Sequence, residues 1–173
     1  EVDHAKATLP SWAFQQEYMA SFDANGSEHF AVDEFKFYEG AHNAEKPGDY
    51  YIAIDLAGFE EKRGQKTARR DNSAIACVYV TDDGKWFVEE IKFGRWTLAE
   101  TAKNIFRMYD KYKPQSLGIE KGIAQQAVMG PLQDLMRASS RVFRIQLLTH
   151  GNQKKTDRIL WALAGRFENG NVS

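Results

Sequence analysis

The chain has 173 residues, of which 43% are hydrophobic and 27% charged, and its formal net charge is −1. These values fit one globular domain with its own core, and they exclude a mainly disordered chain and a globally basic nucleic-acid binder. Cys77 is the only cysteine, so an intrachain disulfide is excluded and a reducing compartment is indicated. Because no apolar run reaches 18 residues, we expect neither a membrane span nor a signal peptide.

Residues 1–48 differ in composition from the remainder, and we expect an N-terminal extension or linker there. A helix is predicted from Ser11 to Phe22, because Ser11 can cap its first turn. The aromatic-rich stretch 30–38 has no predicted element of its own to pack against. Residues 49–173 are then expected to form the main domain.

Three predicted strands open the main domain. Residues 50–56 are apolar on both alternating faces, which indicates a central strand covered on both sides. A polar loop follows over residues 58–72. Residues 73–81 and 85–93 are β-rich and flank Asp82-Asp83-Gly84, which is a hairpin signal, so we expect these strands to be antiparallel.

Helices and strands alternate after the hairpin. Thr97 and Glu100 form a capping box for a helix that ends before Pro114. Residues 116–120 and 142–148 are predicted strands, and 125–139 and 154–167 are predicted helices, the first with a break at Gly130-Pro131. The order β-β-β-α-β-α-β-α predicts an α/β fold with a mixed five-stranded sheet and helices on both faces.

Two carboxylates stand at predicted strand ends. Asp55 lies near the carboxyl end of the first strand, and Glu120 is the last residue of the fourth. In open α/β sheets, ligands collect outside the carboxyl ends of parallel strands. If the two strands are neighbours, both carboxylates face one crevice, where a divalent cation offsets their repulsion and desolvation. The alternative is that each acid caps its strand and points to water.

The strand order, with acids ending the first and fourth strands, resembles the ribonuclease H-like nucleases. Several segments are more narrowly similar to the C-terminal nuclease domain of tailed-phage terminase large subunits. They are YIAIDLA at 51–57, DNSAI at 71–75, LGIEK at 117–121, KKTDRI at 154–159 and GRFENGNV at 165–172. The segment FQQEYMASF at 14–22 resembles the exit from the packaging ATPase domain of the same proteins.

This resemblance implies a Mg²⁺- or Mn²⁺-dependent endonuclease that cuts concatemeric viral double-stranded DNA when packaging starts and ends. Asp55 and Glu120 are the catalytic and metal-binding acids that it implies, holding one or two ions. The implied partners are double-stranded DNA, the small terminase subunit and the portal, with no membrane. The implied location is the cytoplasm of a bacterial host, transiently at the viral procapsid portal.

The family's third acid normally follows the last helix and a further strand, whereas this sequence stops at Ser173, before that position. We therefore expect either a domain truncated at its C-terminus or a third metal ligand from elsewhere. Asp71, just ahead of the second strand, is the candidate; the alternative is an ordinary loop acid. Without a third carboxylate, weak metal binding and weak activity are expected of this chain alone.

Two basic clusters predict contact with DNA; the alternative for each is a solvated surface. They are Lys62, Arg63, Lys66, Arg69 and Arg70 in the loop after the Asp55 strand, and Lys154, Lys155 and Arg158 at the start of the last helix. Neither set is suited to read base edges, so little sequence specificity is expected. Cys77 lies in an apolar run, which predicts core packing and not a nucleophile.

Two other functions stay open. One is a different ribonuclease H-like nuclease, such as a resolvase or a transposase-like core, although the packaging-like N-terminal segment argues against it. The other is a non-catalytic module that docks DNA or the portal and keeps a vestigial acid pair. The missing third acid weakens the enzyme hypothesis for this chain but not for a longer parent protein.

Overall fold

The structure is a computed structural model that describes residues 36–38, 46–58, 72–149, 151 and 154–173. The predicted helix from Ser11 to Phe22 and most of the predicted loop 58–72 lie outside these residues. The described elements are β1 (Gly48–Asp55), β2 (Ser73–Thr81), β3 (Trp86–Gly94), α1 (Leu98–Tyr112), β4 (Ser116–Glu120), α2 (Ile123–Ala138), β5 (Gln146–Leu148) and α3 (Lys155–Glu168). Within the described part of the chain, no helix has the length and apolarity needed to cross a membrane.

The chain divides into two compact units. One contains Pro47–Thr81 and Val88–Thr149, and therefore most of the sheet together with α1 and α2. The other contains Asp82–Phe87 and the described residues from 151 onward, including α3. In this second unit, the backbone of Trp86 bonds to Asn171 and Ser173, and the guanidinium of Arg166 lies 4.3 Å from the centre of the Trp86 ring.

The sheet has five strands in the order β3-β2-β1-β4-β5. β1 runs antiparallel to β2 and parallel to β4, and β4 runs parallel to β5. The predicted mixed five-stranded sheet is therefore confirmed, and its connectivity is that of the ribonuclease H-like fold. The β2–β3 turn is also confirmed, because Gly84 adopts φ +85°, a value that glycine tolerates without strain.

One face of this sheet carries the hydrophobic core. Ile52 and Ile54 of β1 lie opposite Leu117 and Ile119 of β4, and all four side chains are buried. Directly opposed residues project to the same face, so these side chains share one side of the sheet. α1 and α2 cover that side with Ala102, Ile105, Met108, Val128, Leu132 and Met136.

The other face of β1 is open, which makes the prediction of a strand covered on both sides wrong. Tyr51 and Ala53 are exposed, although Ile52 and Ile54, which alternate with them, are buried. The apolar pattern of the strand predicted burial for both side chains, but neither loses much by being exposed. Alanine has little apolar area to bury, and tyrosine carries a hydroxyl group, which here donates to Oε1 of Gln115.

β5 is shorter than predicted, because it covers only Gln146–Leu148 and not the whole run from 142. The residue responsible is Phe143, which is buried in the core with its ring stacked on Tyr109 at a centroid distance of 3.8 Å. Its neighbour Val142 is 90% exposed. This part of the apolar run therefore fills the core from a loop and does not extend the sheet.

α2 continues through Pro131, so the predicted break at Gly130-Pro131 is wrong. Its buried residues Val128, Leu132 and Met136 are spaced by four and lie on both sides of the proline. The burial of one continuous apolar stripe offsets the stability that the helix loses because proline cannot donate a backbone hydrogen bond.

α1 is held at both ends. At its start, Thr97 and Glu100 form the predicted capping box: the Thr97 hydroxyl accepts from the Glu100 amide at 3.3 Å, and the Glu100 carboxylate accepts from the Thr97 amide at 2.8 Å. Near its end, Lys111 and Tyr112 donate to Glu90 of β3 at 2.7 and 3.0 Å. The hydrogen bond from Lys111 lowers the pKa of Glu90.

Replacing Thr97 with alanine should lower the free energy of unfolding by about 1 kcal/mol, because the first turn of α1 loses its side-chain cap. Urea denaturation followed by circular dichroism measures this change. Thr97→Ser is the matched control, since a serine hydroxyl can cap equally well. An alanine variant as stable as the serine variant would contradict the assigned cap.

Candidate functional site

The register of β1 and β4 brings Asp55 and Glu120 side by side. The paired residues end with Ile54 opposite Ile119, so the next pair along these parallel strands is Asp55 and Glu120. Neighbouring strands lie about 4.8 Å apart, and opposed side chains point to the same face. Both carboxylates therefore project from the open face of the sheet, away from the core under α1 and α2.

The surroundings of this pair are open and contain small side chains. Asp55 is exposed and Glu120 is half-buried. Asp55 lies opposite Ala74 of β2, and the preceding pair on the same face of β1 and β4 is Ala53 and Gly118. Ala53 is exposed, whereas Gly118 is buried under the side chain of Leu148, which lies opposite Glu120 in β5. The pair is therefore more open on the side of Asp55 than on the side of Glu120.

Hydrogen bonds fix the chain on both sides of the pair. Just after Asp55, the amide of Ala57 donates to the buried hydroxyl of Ser73 at 3.0 Å, which ties the exit of β1 to the first residue of β2. Just after Glu120, the amide of Lys121 donates to the carbonyl oxygen of Leu148 at 2.9 Å. The direction of each strand end is therefore set by the neighbouring strand.

The donor set fits Mg²⁺ or Mn²⁺. Carboxylate oxygens are the hard ligands that these ions prefer, and Mg²⁺ is commonly bound by one or two carboxylates while water and substrate phosphates fill its remaining positions. Among the residues that the structure describes, no group of three or more His, Cys, Asp or Glu side chains is arranged to hold a metal. The described part of the site is therefore a two-carboxylate site, and Asp55 and Glu120 are the residues that would hold the ion.

The described structure does not test where the other predicted site residues lie relative to this pair. Asp71 and the basic loop residues Lys62, Arg63, Lys66, Arg69 and Arg70 lie outside the described residues. Lys154, Lys155 and Arg158 lie at the start of α3, in the second unit. Lys154 and Lys155 are exposed, and Arg158 is half-buried. Their contact with DNA stays a prediction.

Cys77 packs in the core of β2, as predicted, and is fully buried. Burial is the main cause that raises the pKa of its thiol to about 12, with a smaller contribution from Glu89. A thiol that is protonated and inaccessible is a poor nucleophile. Cys77 is therefore a structural residue.

One polar feature was missed from the sequence. A cavity of about 340 Å³ is lined by Gln115, Ser116, Arg144 and Gln146. These residues lie at the amino ends of β4 and β5, whereas the predicted acid pair lies at the carboxyl ends of the strands. The signal was present in the polar residues in the amino-terminal parts of both predicted strands, since Ser116 begins the strand 116–120 and Arg144 lies within the strand 142–148. The rule for parallel sheets points to the opposite edge.

No protein-family model matches this sequence, and no curated protein is significantly similar to it. Solved structures do resemble the fold. RuvC from Thermus thermophilus superposes with a TM-score of 0.45 at 9% identity, over 70% of this chain and 89% of RuvC. A fowlpox virus Holliday junction resolvase gives a TM-score of 0.39 at 13% identity, over 63% of this chain and 67% of the resolvase. At these values the likeness concerns the course of the chain and does not bear on its chemistry.

Replacing Ser73 with alanine should expose the Ala57 amide to faster hydrogen exchange, because its acceptor at the exit of β1 is lost. The free energy of unfolding should fall by about 1 kcal/mol. Exchange measured by NMR separates this local effect from a global one, since the amide of Ile119 in the centre of the sheet serves as the internal control. Equal acceleration at both amides would show that the substitution acts on the whole fold and not on this segment.

The native chain should react with Ellman's reagent at pH 8 far more slowly than the urea-unfolded chain, because Cys77 is buried and its thiol is protonated. The raised pKa also makes stability depend on pH. Between about pH 8.5, the value of an exposed thiol, and about pH 12, the unfolded state has lost a proton that the folded state retains, so stability falls as pH rises. Equal reaction rates for the native and unfolded chains would contradict this assignment.

Proposed function

We propose that this chain is a Mg²⁺- or Mn²⁺-dependent DNA endonuclease whose active site is centred on Asp55 and Glu120. The observation that supports it is the strand register, which puts these two carboxylates in adjacent positions on the open face of the sheet. Two carboxylates at parallel strand ends, with nothing larger than alanine or glycine in the preceding pair, suit a metal-assisted reaction on a large anionic substrate.

The bound ion supplies charge neutralisation for the phosphodiester and a more acidic water molecule at neutral pH. The remaining contributions come from the chain itself. Asp55 and Glu120 hold the ligand oxygens at fixed positions because their strands are hydrogen-bonded to each other. Ser73 and Leu148 fix the backbone just beyond each acid. The open face leaves room for the DNA backbone to lie against the sheet.

More narrowly, we infer that this nuclease is the nuclease domain of a viral DNA-packaging terminase large subunit. This inference is supported by the terminase-like segments around Asp55, Glu120 and α3, and by the packaging-like segment 14–22. Its substrate is then concatemeric double-stranded DNA, cut at the initiation and termination of packaging. Its partners are the small terminase subunit and the portal, and it acts in the cytoplasm of a bacterial host, transiently at the procapsid.

Replacing Asp55 with asparagine or Glu120 with glutamine should reduce plasmid nicking in Mn²⁺ by more than about 100-fold. Replacing a residue that only orients a metal ligand typically costs about 10- to 100-fold in activity, so the loss of a ligand itself should cost more. The assay follows conversion of supercoiled DNA to open circles, with and without EDTA. Asp134→Asn is the matched control, since Asp134 is an exposed acid on α2 that pairs with Arg137. Nicking that persists in EDTA, or in both active-site variants, would contradict the proposal.

Binding of Mn²⁺ separates a catalytic role from a docking role. Calorimetric titration should show binding by the wild-type chain and by Asp134→Asn, and weaker binding by Asp55→Asn. DNA binding without Mn²⁺ binding or nicking would favour the non-catalytic docking module. Selective cutting of a four-way junction over linear duplex would favour a resolvase over a terminase.

A further inference from the structure

The polar cavity at the amino ends of β4 and β5 has the composition of an anion site. Its lining residues are Gln115, Ser116, Arg144 and Gln146, and its volume is about 340 Å³. Arg144 is exposed and brings a permanent positive charge to the cavity. Within the part of the chain that the structure describes, the lining contains neither a carboxylate nor an apolar side chain, and this composition favours an anion over a metal cation or an apolar ligand.

Hydrogen bonds within the cavity direct its donors toward a ligand. The Tyr51 hydroxyl donates to Oε1 of Gln115, and the Ser116 hydroxyl donates to Oε1 of Gln146 at 3.0 Å. In each glutamine, the side-chain carbonyl oxygen accepts a hydrogen bond from the protein. The side-chain NH₂ group, which can only donate, can then bond to a ligand. Together with the guanidinium of Arg144, these amides form a set of donors, which is what a phosphate requires.

The cavity lies on the same open face as the carboxylate pair. Tyr51, which bonds to Gln115, lies opposite Ser116 in the β1–β4 register. Asp55 is four residues further along β1, and an even spacing keeps both side chains on one face. At about 3.3 Å per residue, the separation along the strand is about 13 Å. The pair between them is Ala53 and Gly118, and the side chain of Leu148 from β5 packs over Gly118.

We propose that this cavity binds a backbone phosphate of the DNA strand whose phosphodiester bond is presented to Asp55 and Glu120. The inference rests on the proposed nuclease function. A separation of about 13 Å corresponds to about four base pairs of duplex rise at 3.4 Å each. Arg144 therefore holds the DNA at a fixed distance from the cutting site, and it contacts the backbone and not the bases.

The test is DNA binding by Arg144→Gln, measured by fluorescence anisotropy with a short labelled duplex of arbitrary sequence, in EDTA so that no cutting occurs. Affinity should fall about tenfold, since a charge-assisted hydrogen bond is lost. The slope of log affinity against log salt should become shallower by about 0.9, the value for one phosphate contact. Arg137→Gln is the matched control, because Arg137 is an exposed arginine on α2, which packs on the other face of the sheet.

The possible results distinguish the subsite from the function. If wild type and both variants bind DNA with equal affinity and slope, the subsite is wrong and the nuclease proposal stands. If wild type neither binds nor cuts DNA, both proposals are wrong. Inorganic phosphate added at constant ionic strength should lower the DNA affinity of the wild type more than that of Arg144→Gln, because free phosphate and the DNA phosphate compete for the cavity. If phosphate binds to the wild type and not to Arg144→Gln in a calorimetric titration, yet leaves the DNA affinity of the wild type unchanged, the cavity is a site for free phosphate and the assignment to DNA is overturned.

Discussion

The parallel pairing of β1 with β4 is the constraint on which the candidate site depends. Side chains alternate along a strand, so a slip of one residue would send either Asp55 or Glu120 to the opposite face. The register is fixed by Ile54 and Ile119, which are buried opposite each other in the core. A slip would place a carboxylate in that core, where an unpaired charge is strongly disfavoured. The hydrophobic core therefore positions the polar site on the other side of the same two strands.

The two faces of the sheet consequently have different roles. One face is covered by α1 and α2 and supplies the core of its unit. The open face carries the acid pair at the carboxyl ends of β1 and β4 and the Arg144 cavity at the amino ends of β4 and β5. Under the proposed function, a nucleic-acid backbone lying across this face would meet the two carboxylates at one end and the hydrogen-bond donors of the cavity at the other.

The strand and helix predictions that are wrong have one physical cause in common. An apolar run shows that side chains must be buried, but it does not show in which kind of element. Phe143 satisfies the requirement by stacking on Tyr109 from a loop, so β5 is short. Pro131 is accommodated within α2 because the buried residues on both sides of it continue one stripe. Tyr51 lies in the run 50–56, whose apolar pattern predicts cover on both sides, yet its hydroxyl donates to Gln115 on the exposed face of β1.

The sequence by itself determined the order of the elements, the capping box at Thr97, the hairpin at Gly84 and the presence of an acid at the end of two strands. These features depend on residues that are close along the chain, and local stereochemistry is readable from such spacing. Tertiary structure alone decided that β1 and β4 are neighbours in register, and that Gln115 and Arg144 meet in one cavity. Those contacts join segments up to about 65 residues apart, and they are selected by the packing of the whole core and not by any local preference.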